Sequence, residues 1–173
     1  MIANASPLII FGKLNRMDIL KEIYGHIEIS EGVHNEVVVN GIKRNAGDAL
    51  LIKEAIGTII KVMDLNAHSK DIAKKIQNAY GIDTGEAETI ALVLQLHVKY
   101  TLIDEAAARE AAKGFGIKPV GSLRVLLIAY KKRIITKEEI KSLIQEMEIS
   151  KYRFSPQALI EFWNLFDKIA EIE

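Results

Sequence analysis

The chain contains no cysteine. That excludes a disulfide framework, a thiolate zinc site and a cysteine nucleophile, and it fits a reducing cytoplasm. Long apolar runs are missing as well, since none reaches the roughly 18 residues that a membrane helix needs. The opening MIANASPLII has no basic segment of the kind that begins a secretory leader. A soluble cytoplasmic protein with no membrane contact is therefore expected. Neither sign of charge is in excess: 23 Lys plus Arg face 23 Asp plus Glu. A neutral chain lacks the global basic footprint of sequence-independent nucleic-acid binding, so any contact with RNA or DNA has to come from a local patch. Neither G-x-G-x-x-G nor G-x-x-x-x-G-K-S/T occurs, which argues against a nucleotide-binding domain. The four histidines, His26, His34, His68 and His97, lack metal-ligand spacing, which argues against a zinc enzyme. His97 reads as a histidine at the edge of the core.

What is present is an alternation. At 173 residues the chain suits one domain with a real core. Short apolar runs alternate with longer segments of helical period, the pattern of βαβ units covering a parallel sheet. Strands are expected at 1–3, 26–29, 58–63, 100–103 and 118–120. Helices are expected at about 7–11, 17–24, 32–40, 46–55, 71–79, 86–97, 105–114 and 122–132, with Asn66 to Lys70 as an ordinary turn. Two further helices follow at 137–147 and 156–172. This divides the chain into an α/β domain over 1–134 and a helical extension over 135–173 packed on the same domain. The last helix carries Leu159, Ile160, Phe162, Trp163, Leu165, Phe166 and Ile169, an apolar face wide enough for docking on the core or on a partner.

In open α/β sheets ligands bind beyond the carboxyl ends of the strands, so the residues just after each strand are the first candidates. Asn4-Ala5-Ser6 follows the first strand and Asp104-Glu105 the fourth. Asp104 reads either as a ligand or as the N-cap of the helix that follows. Glu105 and Arg109, at i and i+4, read most simply as a surface ion pair. Acids in the first turn of the helix after Asp83 suit the helix dipole. At 100° per residue, however, Glu86 lies beside the stripe of Ile90, Val93, Leu94 and His97, and Glu88 points nearly the opposite way. Glu36 is a single acid among apolar residues, and taken alone it reads as an exposed glutamate.

Five segments in order carry a resemblance: IANASPLIIFGKLNRMDIL at 2–20, VHNEV at 33–37, TGEAETIAL at 84–92, TLIDEAAAR at 101–109 and GSLRVLLIAYKK at 121–132. Together with Tyr152-Arg153-Phe154-Ser155 before the final helix, they resemble a prokaryotic, archaeal-type branch of the PIN-domain superfamily related to the VapC-type toxins. The likeness runs along nearly the whole chain. It implies a three-layer α/β/α sandwich with parallel strand order 3-2-1-4-5, which sets the first and fourth strands side by side. It further implies an acid-bound pair of Mg²⁺ or Mn²⁺ ions, or a single one, cutting a phosphodiester of RNA. Matched by position, the acids of that pattern fall on Asn4, Glu36, Glu86 and Asp104, with Ser6 as the hydroxyl beside the first and Glu88 and Glu105 as register alternatives. Those residues should converge within a few ångströms of Asn4. Lys13, Arg16, Arg109 and Lys113 are expected to flank the crevice and hold phosphates. The first acid is an asparagine here, so one full charge is missing and weaker cation binding is expected. The activity implied is a metal-dependent ribonuclease, as toxin of a toxin-antitoxin pair; the alternative is a PIN-like module, catalytically weakened, that binds RNA or protein. A homodimer or an antitoxin segment would suit the aromatic cluster of the last helix.

Overall fold

The computed structural model describes residues 1–171 and divides into two compact units, Met1–Gly121 and the segment from Ser122 onward. The sheet belongs to the first unit. Its strands are β1 (Ile2–Ala3), β2 (Ile27–Ser30), β3 (Ile60–Met63), β4 (Tyr100–Leu102) and β5 (Lys118–Val120), all parallel and in the order β3-β2-β1-β4-β5. β1 is the central strand and only two residues long. Ile2 pairs with Glu28 on one side and with Thr101 on the other, and Ile2, Ala3, Ile27, Ile29 and Leu102 are fully buried. The Thr101 side chain, polar and fully buried in this layer, is satisfied internally, because its hydroxyl donates to the Ile2 carbonyl at 3.1 Å.

Helices complete the α/β/α layering. In the first unit they are α1 (Ala5–Lys13), α2 (Met17–Tyr24), α3 (Glu31–His34), a π-helix (Asn35–Asn40), α4 (Gly41–Lys43), α5 (Gly47–Ala55), α6 (Ala67–Tyr80), α7 (Thr84–Gln95) and α8 (Ala106–Gly114). α1 packs against α2, α5 and the π-helix. α6, α7 and α8 pack together, and α7 also lies on β1, β2 and β4. Ile2, Ile76, Ile90, Leu92, Val93, Ile103, Ala108, Ala111 and Ala112 share the core on that side.

The structure departs from the sequence reading in four places. Residues 66–70 are not a turn: Asn66 is the N-cap of α6, its side chain accepting from the Ser69 N–H at 2.8 Å, so the helix begins at Ala67. Gly81, at φ 63°, ends it in the left-handed conformation that glycine adopts without a Cβ penalty. The helix expected over 32–40 changes character at Asn35, where the hydrogen bonds lengthen to the i→i+5 pattern of a π-helix. α7 shows no single apolar stripe, because Gly85 to Ala87 and Thr89 to Val93 are all buried, so the helix is enclosed on several sides. His97 is exposed and lies at φ 51° just after α7.

The second unit holds α9 (Ser122–Lys131), α10 (Lys137–Ile149) and α11 (Pro156–Ala170); Ile172, the expected end of the last helix, lies outside the described residues. A Thr136/Glu139 capping box starts α10, and Ser155 followed by Pro156 starts α11. Phe166 of α11 sits 4.9 Å from the Tyr130 ring of α9, with the Lys137 ammonium 5.6 Å from its own ring centre. Phe162 and Phe166 are buried, whereas Ile160 and Leu165 stay exposed. Among the described residues no helix is long and apolar enough to cross a membrane.

Candidate nucleic-acid cleavage site

Because all five strands run the same way, Asn4, Glu31, Asp104 and Gly121 emerge along one edge of the sheet. Asn4 occupies the N-cap position of α1, yet its side chain makes no capping bond. It is 2% exposed, and its Nδ2 donates to Glu105 Oε2 at 3.2 Å. The Ser6 hydroxyl, in the first turn of α1, donates to the other Glu105 oxygen. Asn4 Oδ1 is buried with no hydrogen-bond partner among the described residues. A buried carbonyl oxygen left unpaired is costly, and such groups are met by an ordered water, an ion or a ligand.

The expected Glu105–Arg109 surface pair is therefore corrected. Glu105 turns inward to Asn4 and Ser6, while Arg109 Nη1 donates to the Ile103 carbonyl at 2.9 Å. The capping role considered for Asp104 is corrected too: Glu105 holds the N-cap position of α8. Asp104 instead lies toward the end of β5. A Cβ on Gly121 would meet its Oδ1 at 3.1 Å and Arg109 Nη1 at 3.3 Å.

On the other flank Asp83 and Glu86 form a capping box at the start of α7. Asp83 Oδ1 accepts from the Glu86 N–H at 2.7 Å, and Glu86 Oε2 accepts from the Asp83 N–H at 2.9 Å. Glu86 is 6% exposed. Glu36, half-buried on the π-helix, faces this helix start; a Cβ on Gly85 would lie 3.2 Å from Glu36 Oε2 and 3.5 Å from Asp83 Oδ1. Glu88 is taken up elsewhere, accepting from the Gly32 N–H at 2.7 Å where α3 begins.

The acids influence one another along this edge. Burial pushes Glu105 up to about 7, and the charges of Asp104 and Glu86 push the same way. Burial, then Asp83 and Glu86, raises Glu36, against a lowering by Arg44. Glu86 is raised by burial and then by Asp83, against the lowering bond from the Asp83 N–H. They lie near the carboxyl ends of the strands without meeting at one point: among the described residues, no three Asp, Glu, His or Cys side chains form a group that could hold a metal ion. The expected convergence on Asn4 is thus looser than anticipated. Carboxylates repel one another and settle on nearby donors, here the Asp83 and Gly32 N–H groups, the Asn4 amide and the Ser6 hydroxyl.

The predicted basic rim is dispersed. Lys13 is exposed at the far end of α1, about 12 Å along the helix from Ala5. Arg16 pairs with Asp18 at 3.1 Å, and Lys113 with Glu110 at 2.6 Å. Arg109 contacts the carboxyl end of β4. Asp83 and Arg44 are neighbours of the acids that sequence reading missed; the D-x-x-E spacing of a capping box was the available signal for Asp83. An apolar groove of about 620 Å³, lined by His34, Val38, Val39, Ile42, Lys43, Lys53 and Ile56, holds none of these acids.

A parallel sheet in this order, with acids near the point where its strand order reverses, is a doubly wound α/β domain with the layout that PIN domains share. The chain belongs to that family: the DUF3368 model, described as a PIN domain, matches residues 1–168. PIN domains are in general nucleases that require metal, and nuclease is the class of activity that membership carries. Comparison with curated proteins finds no match. The donors present are all oxygens, the type a hard divalent cation takes, and Asn4 Oδ1 is a buried neutral oxygen with no hydrogen-bond partner among the described residues.

Proposed function

We propose that this protein is a Mg²⁺- or Mn²⁺-dependent endoribonuclease. The observation that carries the reading is the buried Asn4 Oδ1, without a hydrogen-bond partner among the described residues, at the carboxyl end of β1. Glu36, Glu86 and Asp104 would supply charge to the cation and Asn4 its neutral oxygen. When bound, the cation supplies an activated water and offsets charge on the attacked phosphate. The chain's own part is to hold these oxygens in place. The capping box fixes Glu86, Gly85 leaves room for Glu36, and Arg109 is anchored to the Ile103 carbonyl with other guanidinium N–H groups left for a phosphate oxygen. Phosphate contacts by Ser6, Lys13, Arg16 and Lys113 belong to the same proposal, although Ser6 is engaged with Glu105, whereas Arg109 lies against the β4 end. A toxin role, with an antitoxin segment or a second copy as partner, extends it.

A second reading, a binding module of the same fold with weakened catalysis, draws on the amide at Asn4. Cleavage of a labelled single-stranded RNA decides between them. Cleavage in Mn²⁺ that is lost with EDTA and in Asp104→Asn supports the nuclease. Retention of the RNA by the native chain without cleavage, under every metal tried, supports the module.

A further inference from the structure

We propose that Glu105 carries the negative charge absent from the end of β1, so that Asn4 and Glu105 act toward a divalent cation as one exchanged pair, amide on the first strand and carboxylate after the fourth. The inference rests on the metal-dependent reading above and names which groups at that site hold the charge.

Three observations support it. Glu105 stands at the N-cap position of α8 and does not cap it; its two oxygens go to Asn4 Nδ2 and to the Ser6 hydroxyl, about a hundred residues away in sequence. Both Glu105 oxygens accept, one from Asn4 Nδ2 and one from the Ser6 hydroxyl, so the face Asn4 turns to Glu105 is its NH₂. That choice fixes the other end: Asn4 Oδ1 is forced away from Glu105 and left unpaired in a side chain that is 2% exposed. Asp104 differs, lying toward Gly121 and Arg109 at the end of β5. An aspartate at position 4 would oppose two carboxylates across the same short contact. Asparagine there is thus the partner that Glu105 requires, and the charge of the pair resides on the α8 side.

The test is an exchange. Glu105→Gln removes the charge at constant shape. Asn4→Asp combined with Glu105→Gln returns it to the first strand and keeps the contact with its direction reversed, the amide now donating from the α8 side to a carboxylate at the end of β1. Mn²⁺ binding to the intact chain is measured by calorimetry, with thermal melts to confirm folding. Glu105→Gln should weaken Mn²⁺ by roughly tenfold to a hundredfold, the range for groups that organise metal ligands. The double variant should recover to within about threefold of the native chain, because the total charge is restored. Native-like binding by Glu105→Gln, or a double variant as weak as the single one, overturns the exchange while the nuclease reading stands. If Glu105→Gln fails to fold, recovery or loss in the double variant decides alone. A native chain that takes up no Mn²⁺ overturns both.

Discussion

The two flanks of the crevice are held in different ways. Beside β1 and β4 the polar groups hold one another, side chain to side chain: Asn4, Ser6 and Glu105. Beside α7 the acids are held by backbone N–H groups, Glu86 by Asp83 and Glu88 by Gly32. The difference matters because a backbone donor belongs to the helix start and persists as long as α7 does, whereas the Asn4–Glu105 contact depends on protonation and on each side chain. The α7 flank is built by folding; the strand flank is adjustable.

The largest effect that separates charge from scaffold is expected at Glu86. Glu86→Gln preserves an N3 acceptor and Glu86→Ala removes it. Both should reduce RNA cleavage by a hundredfold or more, on the order of 3 kcal/mol in the barrier, but only the alanine variant should also lower the melting temperature. A gel assay beside a melting curve reads both. Equal melting of the two variants would mean that the cap does not hold this flank.

Next is Asp83. Asp83→Ala should cost about 1 kcal/mol of stability and Asp83→Ser only a fraction of that, since serine caps nearly as well; urea unfolding distinguishes them. If cleavage follows the cap, Asp83→Ser retains it and Asp83→Ala loses part of it.

A smaller effect, confined to the strand flank, is a pH dependence of unusual sign. Glu105 has a folded-state value of about 7 against an ordinary 4.5, so between those values the folded chain holds a proton that the unfolded chain has released. Its contribution is present below about 4.5 and lost as pH rises to about 7. In chelator the melting temperature should therefore fall across that window, and Glu105→Gln should flatten the fall. An unchanged slope in that variant would place the proton elsewhere, with Glu36 or Glu86, both raised in the same direction. Smallest of all, Lys13→Ala should lower cleavage by no more than about twofold, since Lys13 is exposed at the far end of α1 and a phosphate contact made there is screened by solvent.

Much of the fold was legible because periodicity reports burial. All five strands fall within about two residues of their expected limits, and their parallel order follows the resemblance of the motifs. Periodicity failed where capping chemistry or enclosure took over. The polar stretch Asn66 to Lys70 has no apolar stripe, yet Asn66 caps a helix there. α7 is buried on several sides, so the face assigned to Glu86 was right for a reason other than the stripe. Glu105 illustrates the limit for the site. Its spacing from Arg109 is a local feature, whereas its partners lie about a hundred residues away and are visible only once β1 and β4 are paired. The π-helix at Asn35–Asn40 likewise altered the angular spacing on which a helical-wheel reading of Glu36 would rest.

Gly85 shows what such a site costs its own scaffold. In a helix, glycine is less favourable than alanine by about 1 kcal/mol, and Gly85 is buried near the start of α7, where a better helix former would be expected. A methyl group there would press on Glu36 Oε2 at 3.2 Å, with Val33 Cγ2 at 3.5 Å in ordinary contact. The position thus exchanges helix stability for the approach of an acid, a small trade of robustness for activity. Gly85→Ala would keep every charge of the site while shifting Glu36 by a few tenths of an ångström, in a helix that is, if anything, more firmly formed.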